Sequence, residues 1–426
     1  YSIEEDHVDK NLIFCGTEFG VFFSPDSGAN WKELSTGLPT IAVRDIAIQR
    51  RENDLVLGTF GRGFYVMDDY SVLRSVENSE TDMGVKIFDI RDALMWEKAA
   101  PLGLPGKAFQ GDNFYLAENL DPVAIFTYNY DEKFESLKSK RQKAEKKLIK
   151  DKKDVSYPSY DELYNEVNEA KPELVFTIRD DGNNVVKKIY RKPSKGLSRF
   201  QWNLRYEDNS PISLGSSSFY NPFAGVSEST LVNPGTYSID ISLLKAGETT
   251  KLTEPVTFNI VALNNTVMPA ADRKAKVEFQ RRVSKLQAEV GEYSRKFSEV
   301  SNKMPYIEMA VKKAEQPIDE ISKMVWDVSQ AIKQVSLKLY GDNVKRKLDI
   351  QTYLTPSSRL GSVAYYQKYS TAAPTKTHMD SYEIAKDEFQ PIMLMIDELK
   401  IKMSDLEDRL KEIGAAYTPG RPKALN

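Results

Sequence analysis

The chain repeats itself near its start, and the repeat restricts what it can fold into. Ile13-Phe14-Cys15-Gly16-Thr17-Glu18-Phe19-Gly20-Val21-Phe22 parallels Leu55-Val56-Leu57-Gly58-Thr59-Phe60-Gly61-Arg62-Gly63-Phe64, at an offset of 42 residues. Repeats of this period are supersecondary units that cannot cover their apolar faces alone and stack on neighbours of the same kind. Apolar runs at Asn11–Gly16, Val21–Phe23, Val43–Ile48, Leu55–Thr59 and Gly63–Met67 are rich in β-branched and aromatic residues and bounded by Gly, Asp and Pro. They predict short strands in an all-β meander. The pattern is already under way at Tyr1, which reads as a cut into a longer stack of such units.

Between the two copies lies Ser24-Pro25-Asp26-Ser27-Gly28-Ala29-Asn30-Trp31. Asp26 can accept hydrogen bonds from turn amides, and Gly28 can take a positive φ. Trp31 is expected to pack the hairpin against its sheet. The segment resembles the Asp-box of BNR-type propellers, with Ser24, Asp26, Gly28 and Trp31 as its structural residues. The likeness widens through Gly16-Thr17-Glu18-Phe19-Gly20, Gly37-Leu38-Pro39, Val43-Arg44-Asp45-Ile46-Ala47-Ile48, the run Arg51 to Thr59, Gly61-Arg62-Gly63 and Asp68-Asp69. Together these resemble the last blades of the bacterial sortilin-like, BNR-repeat glycosyl hydrolase family. Phe60 stands where that family usually has His, so an acid–base role carried by that His is absent. Tyr417-Thr418-Pro419-Gly420-Arg421 is similar to the family's closing motif. The resemblance implies residues 1–84 to be the last two blades of an incomplete propeller.

From Val85 to Ala262 strands are predicted at Ala124–Tyr128, Leu174–Arg179, Val185–Tyr190, Phe200–Arg205, Thr236–Leu244 and Val256–Val261. Asp180-Asp181-Gly182-Asn183-Asn184 joins two of them as a tight hairpin, without the ligand spacing of a calcium loop. Pro234-Gly235-Thr236-Tyr237 resembles the turn and strand of bacterial Ig-like and fibronectin III-like modules. Residues 85–265 thus read as a β-sandwich. It carries a helical insertion, 131–172, whose basic run Lys138 to Lys153 reads either as a polybasic patch or as a solvated helix face.

From Met268 the period changes. Phe279, Val283, Leu286, Val290, Tyr293, Phe297 and Val300 alternate spacings of four and three, as do Ile318 to Leu339 and Ile392 to Ile413. Three such stripes predict three long helices in an antiparallel bundle over 266–426. Pro305 and Pro317 are expected to break the chain after the first helix, and Gly341 to end the second. Residues 342–380 read as a long mixed connection. The fold class is therefore multidomain β plus α.

Composition narrows the chemistry. The 59 basic and 62 acidic residues leave a net charge of −3, which argues against a general nucleic-acid binder. No run reaches the ~18 apolar residues of a membrane helix. Cys15 is alone and reads as a small buried hydrophobe; His7 and His378 are the only histidines. Neither disulfides nor a His-rich metal site nor a His-based triad is expected. P-loop, dinucleotide and Gly-x-Ser-x-Gly signatures are absent, so no catalytic residue, metal or cofactor is assigned. Binding candidates are Glu18, Arg44, Arg62, Asp68 and Asp69. Arg62, between two glycines, either faces an opening of the propeller or braces its turn.

The resemblance implies an exported protein of the periplasm, outer membrane or cell surface of a Gram-negative bacterium. Its reading is a binding or scaffold protein that recognises a protein partner in an envelope complex, or a glycan, with peripheral association with the outer membrane. The alternative is a glycoside hydrolase whose active site lies in upstream blades.

Overall fold

The computed structural model describes every residue except 36, 77–83, 97–120, 215–227, 264–267, 316–318, 369 and 421–426. Pro317, Ile318 and Arg421 fall outside the described residues. Two compact units result. The first joins Tyr1–Met95, Leu120–Leu204 and Pro234–Ala262; the second holds Arg205–Asn233 and Leu263–Asn426.

In the first unit each copy of the repeat builds its own sheet. β1 (Ser2–Glu5), β2 (Ile13–Thr17), β3 (Gly20–Ser24) and β4 (Lys32–Glu33) form an antiparallel meander in chain order. β5 (Val43–Gln49), β6 (Asp54–Thr59) and β7 (Phe64–Met67) form a second, followed by a 3-10 turn, Tyr70–Ser75. Leu12, Phe14, Val21 and Phe23 of the first pack with Val43, Ile46, Leu55 and Leu57 of the second, and Tyr70 and Leu73 close this core. Phe14 and Tyr70 meet edge to face with centroids 5.1 Å apart. Gly16 is needed at the junction: a Cβ there would lie 2.7 Å from the Val43 carbonyl oxygen. Cys15 points the other way and is half-buried, not a core residue.

The remaining strands of this unit form two sheets. β8 (Lys86–Ile87), β10 (Ala124–Tyr130) and β13 (Gly196–Trp202) pair in the order β13-β10-β8. β9 (Ala93–Met95), β11 (Glu173–Asp180), β12 (Val185–Arg191), β14 (Gly235–Lys245) and β16 (Val256–Ala262) pair in the order β12-β11-β14-β16-β9, and β15 (Glu248–Lys251) adds to β14. All pairs are antiparallel except β16 with β9. The two sheets meet through aromatic rings. Tyr128 lies 4.8 Å from Phe176, Phe176 4.5 Å from Phe200, and Phe126 5.2 Å from Phe258. Buried Trp202 packs 5.9 Å from Tyr237. β13 starts and ends earlier than the predicted 200–205 strand, because its first half runs along an open edge with Leu197 and Arg199 exposed and carries little apolar periodicity.

Two helices, α1 (Leu137–Lys150) and α2 (Tyr160–Val167), are inserted between β10 and β11. Ser136 caps α1, and a Ser159–Glu162 capping box starts α2. At the β11–β12 turn the left-handed residue is Asn183 (φ 61°), and the Asp180 carboxylate accepts from the Asn184 amide at 2.8 Å.

The second unit is helical: α3 (Arg273–Ser301), α4 (Met304–Lys312), α5 (Asp319–Tyr340), α6 (Asn343–Lys347), α7 (Pro356–Lys368) and α8 (Lys376–Glu412). The predicted stripes of α3, α5 and α8 face one core. Gly341 (φ 81°) ends α5 as expected. The chain breaks after α3 as expected, and Pro305 then sits in the first turn of α4, where a proline costs no hydrogen bond. One expectation fails. The supposed connection 342–380 contains α7, whose Leu360 and Val363 join the core, and the start of α8, capped by Thr375. Among the described residues no helix is long and apolar enough to cross a membrane.

Gly16→Ala should cost about 1–3 kcal/mol through overpacking against β5. Urea unfolding followed by tryptophan fluorescence checks this; an unchanged midpoint would show that the two sheets can separate freely at that point.

Candidate functional site

The most strongly shifted carboxyl in the first unit is Asp6, and its geometry says what it is for. Asp6 lies just beyond β1 and is buried. Five donors converge on its two oxygens: Arg74 Nε (2.7 Å), Arg74 Nη2 (2.9 Å), the Tyr70 hydroxyl (2.5 Å) and the amides of Asp9 (2.8 Å) and Val8 (3.3 Å). His7 Nδ1 lies 3.3 Å from the same hydroxyl, and Arg74 Nη2 also donates to Asn53 Oδ1 at 2.6 Å. Burial alone would raise the Asp6 carboxyl. The hydrogen bonds from Arg74, Tyr70 and the Asp9 amide outweigh it and hold the group well below the usual carboxylate range. Burial and Asp6 together push the Tyr70 phenol upward, so it stays a neutral donor. A carboxylate has about four lone-pair positions. Here they are filled, so Asp6 has no capacity left for a substrate proton and serves as a structural tie.

The Ser24–Trp31 turn likewise spends its polar groups on itself. The Ser24 hydroxyl donates to Asp26 Oδ1 (2.7 Å) and accepts from the Gly28 amide (2.8 Å), while Asp26 accepts from the Asn30 amide (2.8 Å). Gly28 has φ 93°. Trp31 departs from expectation: it remains 43% exposed, lying against the turn near Gly28 and not inside the sheet. A core place for it is already taken by Phe14, Val21 and Phe23.

The sequence-derived binding candidates separate into three places. Glu18 and Arg62 are exposed in the β2–β3 and β6–β7 connections. Arg44, on β5, stacks over the Tyr1 ring at 3.9 Å and faces the Phe60 ring at 5.3 Å. Asp69, in a left-handed conformation (φ 44°), caps the 3-10 turn through Ser71. The carbonyls of Asp68 and Asp69 both accept from Arg199, at 2.7 Å each, and Arg199 Nε donates to Thr127 Oγ1 at 3.0 Å.

Arg199 leads to a site that the sequence reading missed. It borders an open groove of about 530 Å³ lined by Tyr128, Ile189, Tyr190, Arg191, Lys192, Ser194, Ser198 and Arg199. The groove runs between β12 and β13, each at the edge of its own sheet. Arg191 stacks over Phe200 at 4.9 Å, which fixes its guanidinium at the wall. Three cationic and four hydroxyl side chains therefore line one depression, and none of its described lining residues is acidic. The sequence signal was the basic strand Lys187-Lys188-Ile189-Tyr190-Arg191-Lys192, which also reads as the charged edge that keeps sheets from aggregating. By contrast the basic run on α1 is partly neutralised: Arg141 pairs with Glu145 and Glu166 at 2.5 Å each, and Lys143 with Glu135 at 2.6 Å.

No family model, curated protein or solved structure matches the chain.

Because Asp6 titrates lower in the folded chain than in the unfolded one, its stabilisation is complete above an ordinary aspartate pKa of about 3.9. It is lost as pH falls from there toward the folded value. Asp6→Asn should cost about 3–5 kcal/mol at neutral pH by leaving Arg74 unpaired. It should also flatten the loss of stability below about pH 4. Urea unfolding at pH 7 and pH 3 tests both; equal acid slopes in the two proteins would contradict the tie.

Proposed function

We propose that this chain is a binding and scaffold part of an exported bacterial envelope protein of the sortilin-like propeller type. In this reading the two repeat sheets are propeller blades, the aromatic two-sheet layer is an Ig- or fibronectin III-like sandwich, and the helical unit is a platform for assembly. The ligand is an acidic, extended segment of a protein partner, taken into the groove between β12 and β13.

One observation carries this reading: two strands that are the edges of their sheets among the described residues border a depression that holds Arg191, Lys192 and Arg199 and no described carboxylate. An edge strand offers unpaired amides and carbonyls, so an added strand gains main-chain hydrogen bonds. Guanidinium groups add charge-assisted bonds to carboxylates. Glycosidic hydrolysis would instead need two carboxylates ~5–10 Å apart across the scissile bond. The strongly shifted carboxylate beside the blades, Asp6, is fully engaged by its own donors.

A labelled Asp/Glu-rich peptide titrated against the chain should bind, and binding should weaken as salt rises. The double variant Arg191→Glu/Lys192→Glu should bind at least about tenfold more weakly, a loss of roughly 1.4 kcal/mol. Lys146→Glu/Lys147→Glu on α1 should bind normally. Equal losses in both variants would remove the groove as the site. Carboxylate-dependent cleavage of a glycan by the same preparation would restore the hydrolase reading.

A further inference from the structure

The hairpin of α1 and α2 spends its glutamates on itself and leaves most of its lysines outside. Arg141 pairs with Glu145 and Glu166, and Lys143 with Glu135. Glu162 accepts from the Ser159 amide at 2.8 Å, and Glu169 from the Leu137 amide at 2.9 Å. Lys138, Lys140, Lys146, Lys147 and Lys150 of α1 stand outside these pairs, as do Lys152 and Lys153 in the link to α2. Between Leu137 and Val167 these seven lysines meet three further aspartates, Asp151, Asp154 and Asp161, so the hairpin presents a positive surplus.

The faces of the two helices are distinct. Half-buried Arg141, Glu145 and Leu148 form the side of α1 turned to α2, since Arg141 reaches Glu166. Lys140, Lys143, Lys147 and Lys150 recur at spacings of three, four and three, so they share the exposed face opposite. On α2, Leu163 and Glu166 are half-buried and take the inner side. Tyr160, Tyr164 and Val167 make a second stripe, spaced four and three, yet they are 77%, 55% and 85% exposed. The two tyrosine rings lie 6.0 Å apart. Tyr157 before α2 and Ile149 near the end of α1 are exposed as well. A merely solvated helix face is polar. This one carries the apolar period of a packed helix beside a field of lysines.

We infer that the α1–α2 hairpin docks on the surface of an anionic phospholipid bilayer. Tyr157, Tyr160, Tyr164 and Val167 enter the headgroup layer, and the lysines reach lipid phosphates around them. Charge complementarity argues for this occupant: a lysine cluster gains from each approach to a negative bilayer surface. Tyrosine suits the boundary between headgroups and acyl chains, because its ring is apolar and its hydroxyl stays wet. Lysine stems can lie along apolar surface while the ammonium remains among the phosphates. A nucleic acid is less well matched. Arginine is the residue that grips phosphate with two donors, and the hairpin's one arginine, Arg141, is turned inward onto two glutamates. Val167 and Ile149 offer nothing to a base. The inference is independent of the groove and of the propeller reading.

The test is co-sedimentation of the whole chain with vesicles. It should bind vesicles of equimolar phosphatidylcholine and phosphatidylglycerol, should bind pure phosphatidylcholine at least about tenfold more weakly, and should release as salt rises. Two variants divide the contributions. Lys146→Glu/Lys147→Glu and Tyr160→Ser/Tyr164→Ser should each lower binding to the anionic vesicles by about tenfold or more, with the melting temperature unchanged because all four side chains are exposed. Hydroxyl-radical oxidation of Tyr157 and Tyr160 should slow on those vesicles. Arg191→Glu/Lys192→Glu should bind vesicles normally, and both hairpin variants should keep peptide binding at the groove, so the two sites fail separately. Equal binding to neutral and anionic vesicles, or full binding by either hairpin variant, would overturn the inference. So would tighter binding to a single-stranded oligonucleotide that the same variants abolish, which would assign the hairpin to nucleic acid.

Discussion

The arrangement of the N-terminal half depends on one buried carboxylate. Asp6 follows the first strand, and Tyr70 and Arg74 belong to the turn after the last strand of the second sheet. Their hydrogen bonds close a span of more than sixty residues around a core built from Phe14, Phe23, Leu55 and Leu57. The two sheets alone bury one face each, which is little for an independent fold. A charge-assisted tie at the rim holds them in register and sets where the 3-10 turn sits. That position fixes the Asp68 and Asp69 carbonyls, which in turn hold Arg199 at the groove.

The polar groups of this half divide by what remains to be satisfied. Asp6, Asp26, Asp69 and Asp180 all spend their oxygens on local amides, hydroxyls or guanidinium groups. They shape turns and ties. In the groove, Arg191 lies over the Phe200 ring, whereas Arg199 spends its guanidinium on Thr127 and the Asp68 and Asp69 carbonyls.

The strands with strong apolar alternation were legible in the sequence: β2, β3, β5, β6, β10, β11 and β14 fall where Val, Ile, Phe and Tyr recur. β1, β4 and β15 were not. Their sequences, Ser-Ile-Glu-Glu, Lys-Glu and Glu-Thr-Thr-Lys, are those of edge strands that any loop could carry. Long heptad stripes gave α3, α5 and α8, but α7 escaped because Pro356, Gly361 and two adjacent tyrosines mask its short stripe of Leu360 and Val363. The tie at Asp6 had no local signature, since its partners lie 64 and 68 residues away. The groove was hidden for the same reason: its walls come from the ends of different strands, and only the basic character of β12 hinted at it.

The helical pair between β10 and β11 contributes no buried hydrophobic residue, although it interrupts the middle of a folded layer. Its two feet lead into strands of different sheets, and β10 pairs with β13 while β9 pairs with β16 across the interruption. A protease that severs the exposed link 151–159 would therefore divide the polypeptide without dividing the molecule. The upstream piece would stay laced to the downstream one by two ladders, and the break would become visible only under denaturing conditions.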